Sequence, residues 1–439
     1  MPPEPQTSDF VVQTSSRGTA LQPARTVLEN GAVLLTKPTH TTPAVTINLA
    51  MRAGSAADPA GLPGMTWLLS RIIDRGTAGR SAANIAEELD SRGITLTIGV
   101  TRHVFSMACT CLSDDFEAVL ALLGEILMSP SMAEEEIATR KGEVITSIRQ
   151  DDDNPAVRAT ETLMALLYPA AHPYGRRTKG SIGVIEALTR EQLLRLHADR
   201  FAPSELTAVV VGDVETPLVE HVTARVFGGW RKPAPAPIVL PPVTPAKGRQ
   251  RVVIPMMNKS QADVAYGFTA ITRRDPSYYA CWLMNNAFGQ YALGGRLGDS
   301  IRERQGMAYY VSSALDANIA EGPLVVRAGV SPAHVDRAVA SIDVEVARLV
   351  GEGLTPEELD ASRRYLVGSI PRALETNAAI ASFLQTAEFF GLGLDYDTRL
   401  PALLGAVTVD EVNAAARRML DPDRATVVIA GPYDDNRIG

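Results

Sequence analysis

The residues whose types and spacing bear on chemistry begin in the stretch GMTWLLSRIIDRGT, residues 64 to 77. Trp67, Ser70 and Arg71 fall at i, i+3 and i+4, the spacing at which a helix gathers three side chains on one face. An indole, a hydroxyl and a guanidinium side by side make neither an acid–base pair nor a metal site. The six histidines, at 40, 103, 172, 197, 221 and 334, include no two spaced for a helical or hairpin ligand pair. Each is expected to be structural, with His172 of HPYG serving packing and turn formation. Cys109 and Cys111 lie two apart in a strand-like segment, where they share a face but cannot easily bridge, so no disulfide framework is implied.

The elements that must position these residues follow from pattern. Residues 26 to 56 alternate apolar and polar around Asn30-Gly31, which predicts paired strands. Residues 81 to 92 read as a helix starting at a Ser81 cap and stopping at Gly93, and the β-branched stretch after it as strands. Ser113 is expected to cap a helix whose apolar stripe is Phe116, Val119, Leu120, Leu123, Ile126 and Leu127. A further helix over about 133 to 150 turns Ile137, Val144, Ile145 and Ile148 inward and offers Arg140, Glu143 and Ser147 on its outer face.

The clearest internal signal is a repeat. Residues 188–214 lie over residues 407–433 at a constant offset of 219, which puts Thr189 on Thr408, Pro203 on Pro422 and Gly212 on Gly431. Each copy reads as capped helix, turn and buried strand, closing one of two similar α+β halves. The expected domains are residues 1–228 and 251–439, joined by a stiff connector over 229–250 within a stretch holding six prolines.

Composition bounds the partners. The 439 residues are 46% apolar, enough for real cores, and the net charge of −8 comes without a long basic block. The electrostatic footprint of a nucleic-acid or anionic-membrane binder is missing. The opening residues lack the apolar core of a signal peptide, and no run of eighteen apolar residues follows. A soluble chain is expected, with the choice between cytoplasm and periplasm open.

RAGSAADPAGLPGMTWLLSRIIDRGT, HPYGRRTKGSIGVIEALT at 172–189 and LGGRLGDSIRERQGMAYYVSSAL from 293 onward occur in the order of landmarks of one family. From about 26 to 433 the chain resembles the M16 (pitrilysin-type) metallopeptidases in their single-unit bacterial form. The resemblance implies two homologous α/β-sandwich halves of the LuxS/MPP-like metallohydrolase fold. Members carry His-x-x-Glu-His on the first landmark helix and a distal Glu on a later one, which hold zinc and its general base. Here the two His positions are Trp67 and Arg71, the Glu is Ser70, and the distal ligand falls on Ser147, seventy-six positions beyond Arg71. No metal is therefore expected in this chain, and neither Ser70 nor Ser147 reads as a nucleophile, since no base can be assigned to either.

Arg302 and Tyr309, seven apart in RERQGMAY, match the pair that the distal half of these proteases points at the substrate. They would flank a helix ending near Gln305-Gly306 and the strand after it, and would donate hydrogen bonds to a peptide carbonyl and its oxyanion. The bland alternative makes Arg302 a surface ion pair and packs Tyr309 in the sheet. Thr97 stands where relatives commonly have a substrate-contacting Asn beside an edge strand. The resemblance thus implies a non-catalytic subunit of a heterodimer, completing the site of a zinc-bearing homologous partner that acts on extended peptides. The alternatives are a structural or peptide-binding pseudopeptidase and an autonomous peptidase with new ligands. The long Gly-rich loop of some non-catalytic processing-peptidase subunits is not evident in FGQYALGGRLGD, residues 288–299.

Overall fold

The computed structural model describes residues 20–244, 246–291 and 294–434. The leading stretch scanned for a signal sequence and part of the Gly-rich segment at 288–299 lie outside them. The first half begins with β1 (Ala24–Val27), β2 (Val33–Pro38) and β3 (Ala44–Met51), then α1 (Met65–Ile72) and α2 (Ala82–Asp90). A hairpin of β4 (Thr97–Val100) and β5 (Phe105–Leu112) follows, then α3 (Phe116–Met128), α4 (Glu134–Asp152), α5 (Pro155–Leu167), α6 (Ile182–Ala187), α7 (Arg190–Arg200), β6 (Leu206–Gly212) and α8 (Thr216–Phe227). The second half comprises β7 (Gln250–Pro255), β8 (Ala262–Thr269), α9 (Tyr278–Asn285), the hairpin β9 (Ala308–Leu315) and β10 (Pro323–Val330), α10 (Val335–Gly351), α11 (Pro356–Ala373), α12 (Asn377–Phe390), α13 (Tyr396–Ala406), α14 (Val409–Met419) and β11 (Thr426–Gly431).

The two sheets repeat one order. The first runs β1-β2-β6-β3-β5-β4 and the second β7-β11-β8-β10-β9, so β2, β6, β3, β5 and β4 correspond to β7, β11, β8, β10 and β9. Among the described strands, β2 with β6 and β7 with β11 pair in parallel, and the other strand pairs are antiparallel. The α+β class and the two homologous halves expected from sequence are what the structure has. The repeat extends to the caps: Thr189 with Gln192 at α7, and Thr408 with Glu411 at α14, each close a reciprocal capping box that satisfies two backbone donors.

Two local expectations need correction. Ser113 does not cap α3: it opens a 3₁₀ turn over Ser113–Asp115, and its Oγ reaches Asp213 Oδ2 at 3.3 Å. Two acidic residues and a turn separate it from the first helical residue, so the polar signal was right and its register wrong. The residues before β9 form a wide π-helical turn, Gly298–Arg304, in place of an ordinary α-helix end.

Every residue of β6 and β11 is buried, because each sheet is covered on both faces. One face of each packs on helices of its own half, while the other takes a helix from the opposite half. From the first half, α5 lays Ala159, Leu163, Met164 and Leu167 against Ala265, Val325, Val428 and Ala430 of the second sheet. From the second half, α12 lays Ile380, Ala381 and Leu384 against Leu35, Val209 and Val211 of the first. The Pro-rich connector is irregular between the halves, and its Leu240 and Val243 pack against the α5 cluster. Among the described residues no helix is long and apolar enough to cross a membrane.

Candidate functional site

Helix α1 is started from a distance. The buried Asp58 carboxylate accepts the Gly64 N–H at 2.8 Å and the Thr66 N–H at 2.9 Å, doing the work of an N-cap from six residues upstream. Burial pushes this carboxyl up to about 6, against the pull of those hydrogen bonds. Gly64 (φ +98°) and Gly180 (φ +75°) then bring two backbone turns together: a methyl on Gly64 would stand 2.5 Å from the Lys179 carbonyl oxygen, and one on Gly180 would stand 2.1 Å from that of Pro63. This approach sets the Lys179 backbone at the start of α1, from which its ammonium reaches the Trp67 ring.

On that face Ser70 is 2% exposed, and its hydroxyl donates to the Trp67 carbonyl at 2.7 Å, the local backbone bond such a residue makes inside a helix. Arg71 is exposed and holds its guanidinium carbon 4.7 Å from the centre of the half-buried Trp67 ring. Lys179 places Nζ 5.7 Å from the same centre. Ser147, on the neighbouring α4, accepts from Lys179 Nζ at 2.8 Å, and Asp151 one turn on pairs with that ammonium at 2.6 Å. The four positions that the resemblance assigns to metal chemistry are thus brought together, but as an indole, a guanidinium and two hydroxyls already bonded, with the Lys179 ammonium as a second cation beside them. Such a donor set does not fit zinc. Among the described residues no group of three or more His, Cys, Asp or Glu stands so as to hold a metal ion. Trp67, Arg102, Asp151, Tyr174, Arg176 and Lys179 help line a cavity of about 310 Å³ beside this face.

The buried histidines are structural. Tyr174 OH accepts the Ala320 N–H at 3.2 Å and lies 2.6 Å from His103 Nε2, a hydrogen bond that joins the two rings. Burial brings His103 down to about 4. His197 lies against the Leu127 carbonyl at 2.8 Å and is likewise lowered to about 4 by burial. His172, fully buried, accepts the Tyr174 N–H and stacks on Tyr168, the packing and turn role expected of it. Cys109 and Cys111 are buried free thiols.

The second cluster lies in the other half. Arg302 is on the π-helical turn and Tyr309 on β9, the edge of its sheet. The Arg302 side chain is 48% exposed, with Glu303 3.9 Å away, a loose contact. Tyr309 is 65% exposed, so the alternative that packs it in the sheet fails. The strand alternation gives the packing to its neighbour: Tyr310 OH donates to Asp263 Oδ1 at 2.5 Å. Thr97 begins β4, the edge of the first sheet, and its side chain is exposed. Sequence reasoning missed Asp58, Lys179 and Asp151. The only signals were an acid before a glycine-rich turn, and a lysine inside a landmark segment whose contacts lie 28 and 32 residues away.

Two copies of one α+β unit, with Trp67, Ser70, Arg71 and Ser147 gathered in one and an exposed Arg/Tyr turn in the other, define a chain of two homologous halves. A sequence profile described as Insulinase (Peptidase family M16) matches residues 33–178, and another described as Peptidase M16 inactive domain matches 187–366. The chain belongs to peptidase family M16. It is 28% identical to an uncharacterized zinc protease of Mycobacterium tuberculosis over 95% of both chains. It is also 22% identical to a non-peptidase homolog of Helicobacter pylori, over 85% of this chain and 86% of that one. The solved structure of a peptidase M16 inactive domain from Pseudomonas fluorescens matches with a TM-score of 0.87 at 26% identity, covering 94% of this chain and 98% of that one. A Helicobacter pylori protease shares the fold at a TM-score of 0.86 and 17% identity, over 94% of this chain and all of that one.

Proposed function

We propose that this chain is the non-catalytic subunit of a heterodimeric M16 zinc metallopeptidase, with a zinc-bearing homologue as partner and extended peptides as substrate. The observation that carries this reading is a contrast between the halves. The α1 face offers no ligand and no base, while Arg302 and Tyr309 stand exposed on a turn and an edge strand with no packing duty that accounts for them.

The partner's metal supplies the activated water. This chain's part is to donate hydrogen bonds from the Arg302 guanidinium and the Tyr309 hydroxyl to the peptide carbonyl, and to strengthen them as negative charge gathers on that oxygen. The purified chain alone is expected to carry no zinc and to hydrolyse nothing, and mixing with the zinc-bearing homologue is expected to produce peptidase activity. Arg302→Ala is then expected to lower kcat by about 10²-fold, the usual cost of one oxyanion donor, and Tyr309→Phe by a smaller factor. Full activity in both variants removes the shared-site reading.

A second reading, a peptide-binding scaffold without a role in proteolysis, is favoured by the open edge of β4. An extended peptide can add to that edge through backbone hydrogen bonds whatever Thr97 contributes. It predicts peptide binding by the lone chain and no gain in activity on mixing.

A further inference from the structure

We infer that Lys179 is a built-in cation that has taken over the structural place of a metal, tying α1, α4 and the 172–189 segment together, and that it is itself a barrier to metal binding. The ammonium touches Ser147 and Asp151 on α4 and lies over Trp67 on α1. It thereby joins the elements that carry the first and the distal of the four assigned positions. Its placement is prepared by backbone: the contact of Gly64 with the Lys179–Gly180 turn, too close for a Cβ at either glycine, holds the Lys179 carbonyl at the start of α1. Arg71, on the same indole, adds a second positive charge.

A face arranged in this way is occupied chemistry rather than a vacant site. A divalent ion brought to it meets a fixed like charge, and the carboxylate best placed to help it, Asp151, is already neutralised. Restoring the lost residues is therefore insufficient. Lys179 must go as well.

The experiment compares two variants of the full chain. One carries Trp67→His, Ser70→Glu, Arg71→His and Ser147→Glu, and the other adds Lys179→Met. Zinc affinity is measured by chelator competition, with zinc per chain read by elemental analysis. The five-fold variant is expected to hold about one zinc and to bind it at least about 100-fold more tightly than the four-fold variant. Equal affinity in the two, or no zinc in a folded five-fold variant, overturns the inference. Because multiple substitutions in one face can impair folding, Lys179→Met and Lys179→Arg are also made in the natural sequence. Lys179→Met is expected to lower the melting temperature and shift Trp67 emission, with partial recovery in Lys179→Arg. A Lys179→Met protein that melts and fluoresces like the parent also overturns it. These readouts do not involve a partner chain, so they stand apart from the test of the shared active site.

Discussion

At the scale of single residues, burial decides what the titratable groups of this protein do. His103 and His197 are each 6% exposed and are held near 4, well below the 6.5 of a free imidazole. Asp58, 4% exposed, is held near 6, above its free value of 3.8. Their signs oppose. As pH falls from 6.5 to 4 the unfolded chain takes up protons that the folded histidines refuse, so each histidine withdraws about 3 kcal/mol of stability. Over the range from pH 6 down to 4 the folded Asp58 takes up its proton first and returns a similar amount. One histidine is thus left uncompensated among these three. His197→Gln, which keeps a donor for the Leu127 carbonyl, is expected to lose about 2 kcal/mol less than the parent between pH 7 and pH 4.5 in urea unfolding. Equal acid losses in the two proteins would mean that His197 takes up its proton in the folded state at its ordinary pKa.

At the scale of elements, what the sequence carries is what repeats or is local. The Ser81 cap of α2, the Asn30-Gly31 turn, the buried run of β6 and the 219-residue offset of the two capping boxes were all legible, because each depends on neighbours within one or two turns. The positions of the site were legible only through resemblance, since nothing about Ser147 as a residue marks it. What could not be read is the exchange of helices: α5 and α12 are ordinary amphipathic helices, and no periodicity says which sheet an apolar face will meet. Lys179 escaped for the same reason, its partners being set by two backbone turns that meet in space. Helix exchange makes a mutational prediction at this scale. Leu163 is fully buried and faces Gly267 of β8, where the missing side chain makes room for it. Leu163→Ala removes that contact and leaves a cavity in the second sheet, so a loss of about 2–5 kcal/mol is expected, measured by urea unfolding. A loss below 1 kcal/mol would show that α5 is not a working part of that core.

At the scale of the whole molecule, the exchange makes the two halves one cooperative body. Separating them would strip α5 from β8 and β11, and α12 from β3 and β6, leaving an apolar sheet face bare on each side. The hairpin turns at the inner ends of the sheets are tied as well: Arg102 pairs with Asp316 at 2.5 Å, Tyr168 OH donates to the Glu321 carbonyl at 3.0 Å, and Tyr174 joins His103 to Ala320. Hinge motion between the halves would have to break all of these at once. The same contacts predict the outcome of cutting the connector. Residues 20–228 and 251–434 expressed separately are expected to lack a cooperative unfolding transition and to aggregate through their uncovered sheet faces. Expressed together they are expected to co-purify as a complex with near-native far-ultraviolet circular dichroism, because among the described residues the connector contributes Leu240 and Val243 to the edge of the shared core and Trp230 to the core of the first half. The decisive measurement is the melt of each lone fragment: a sharp, independent transition in either would mean that its donated helix is dispensable and that the halves are separable domains.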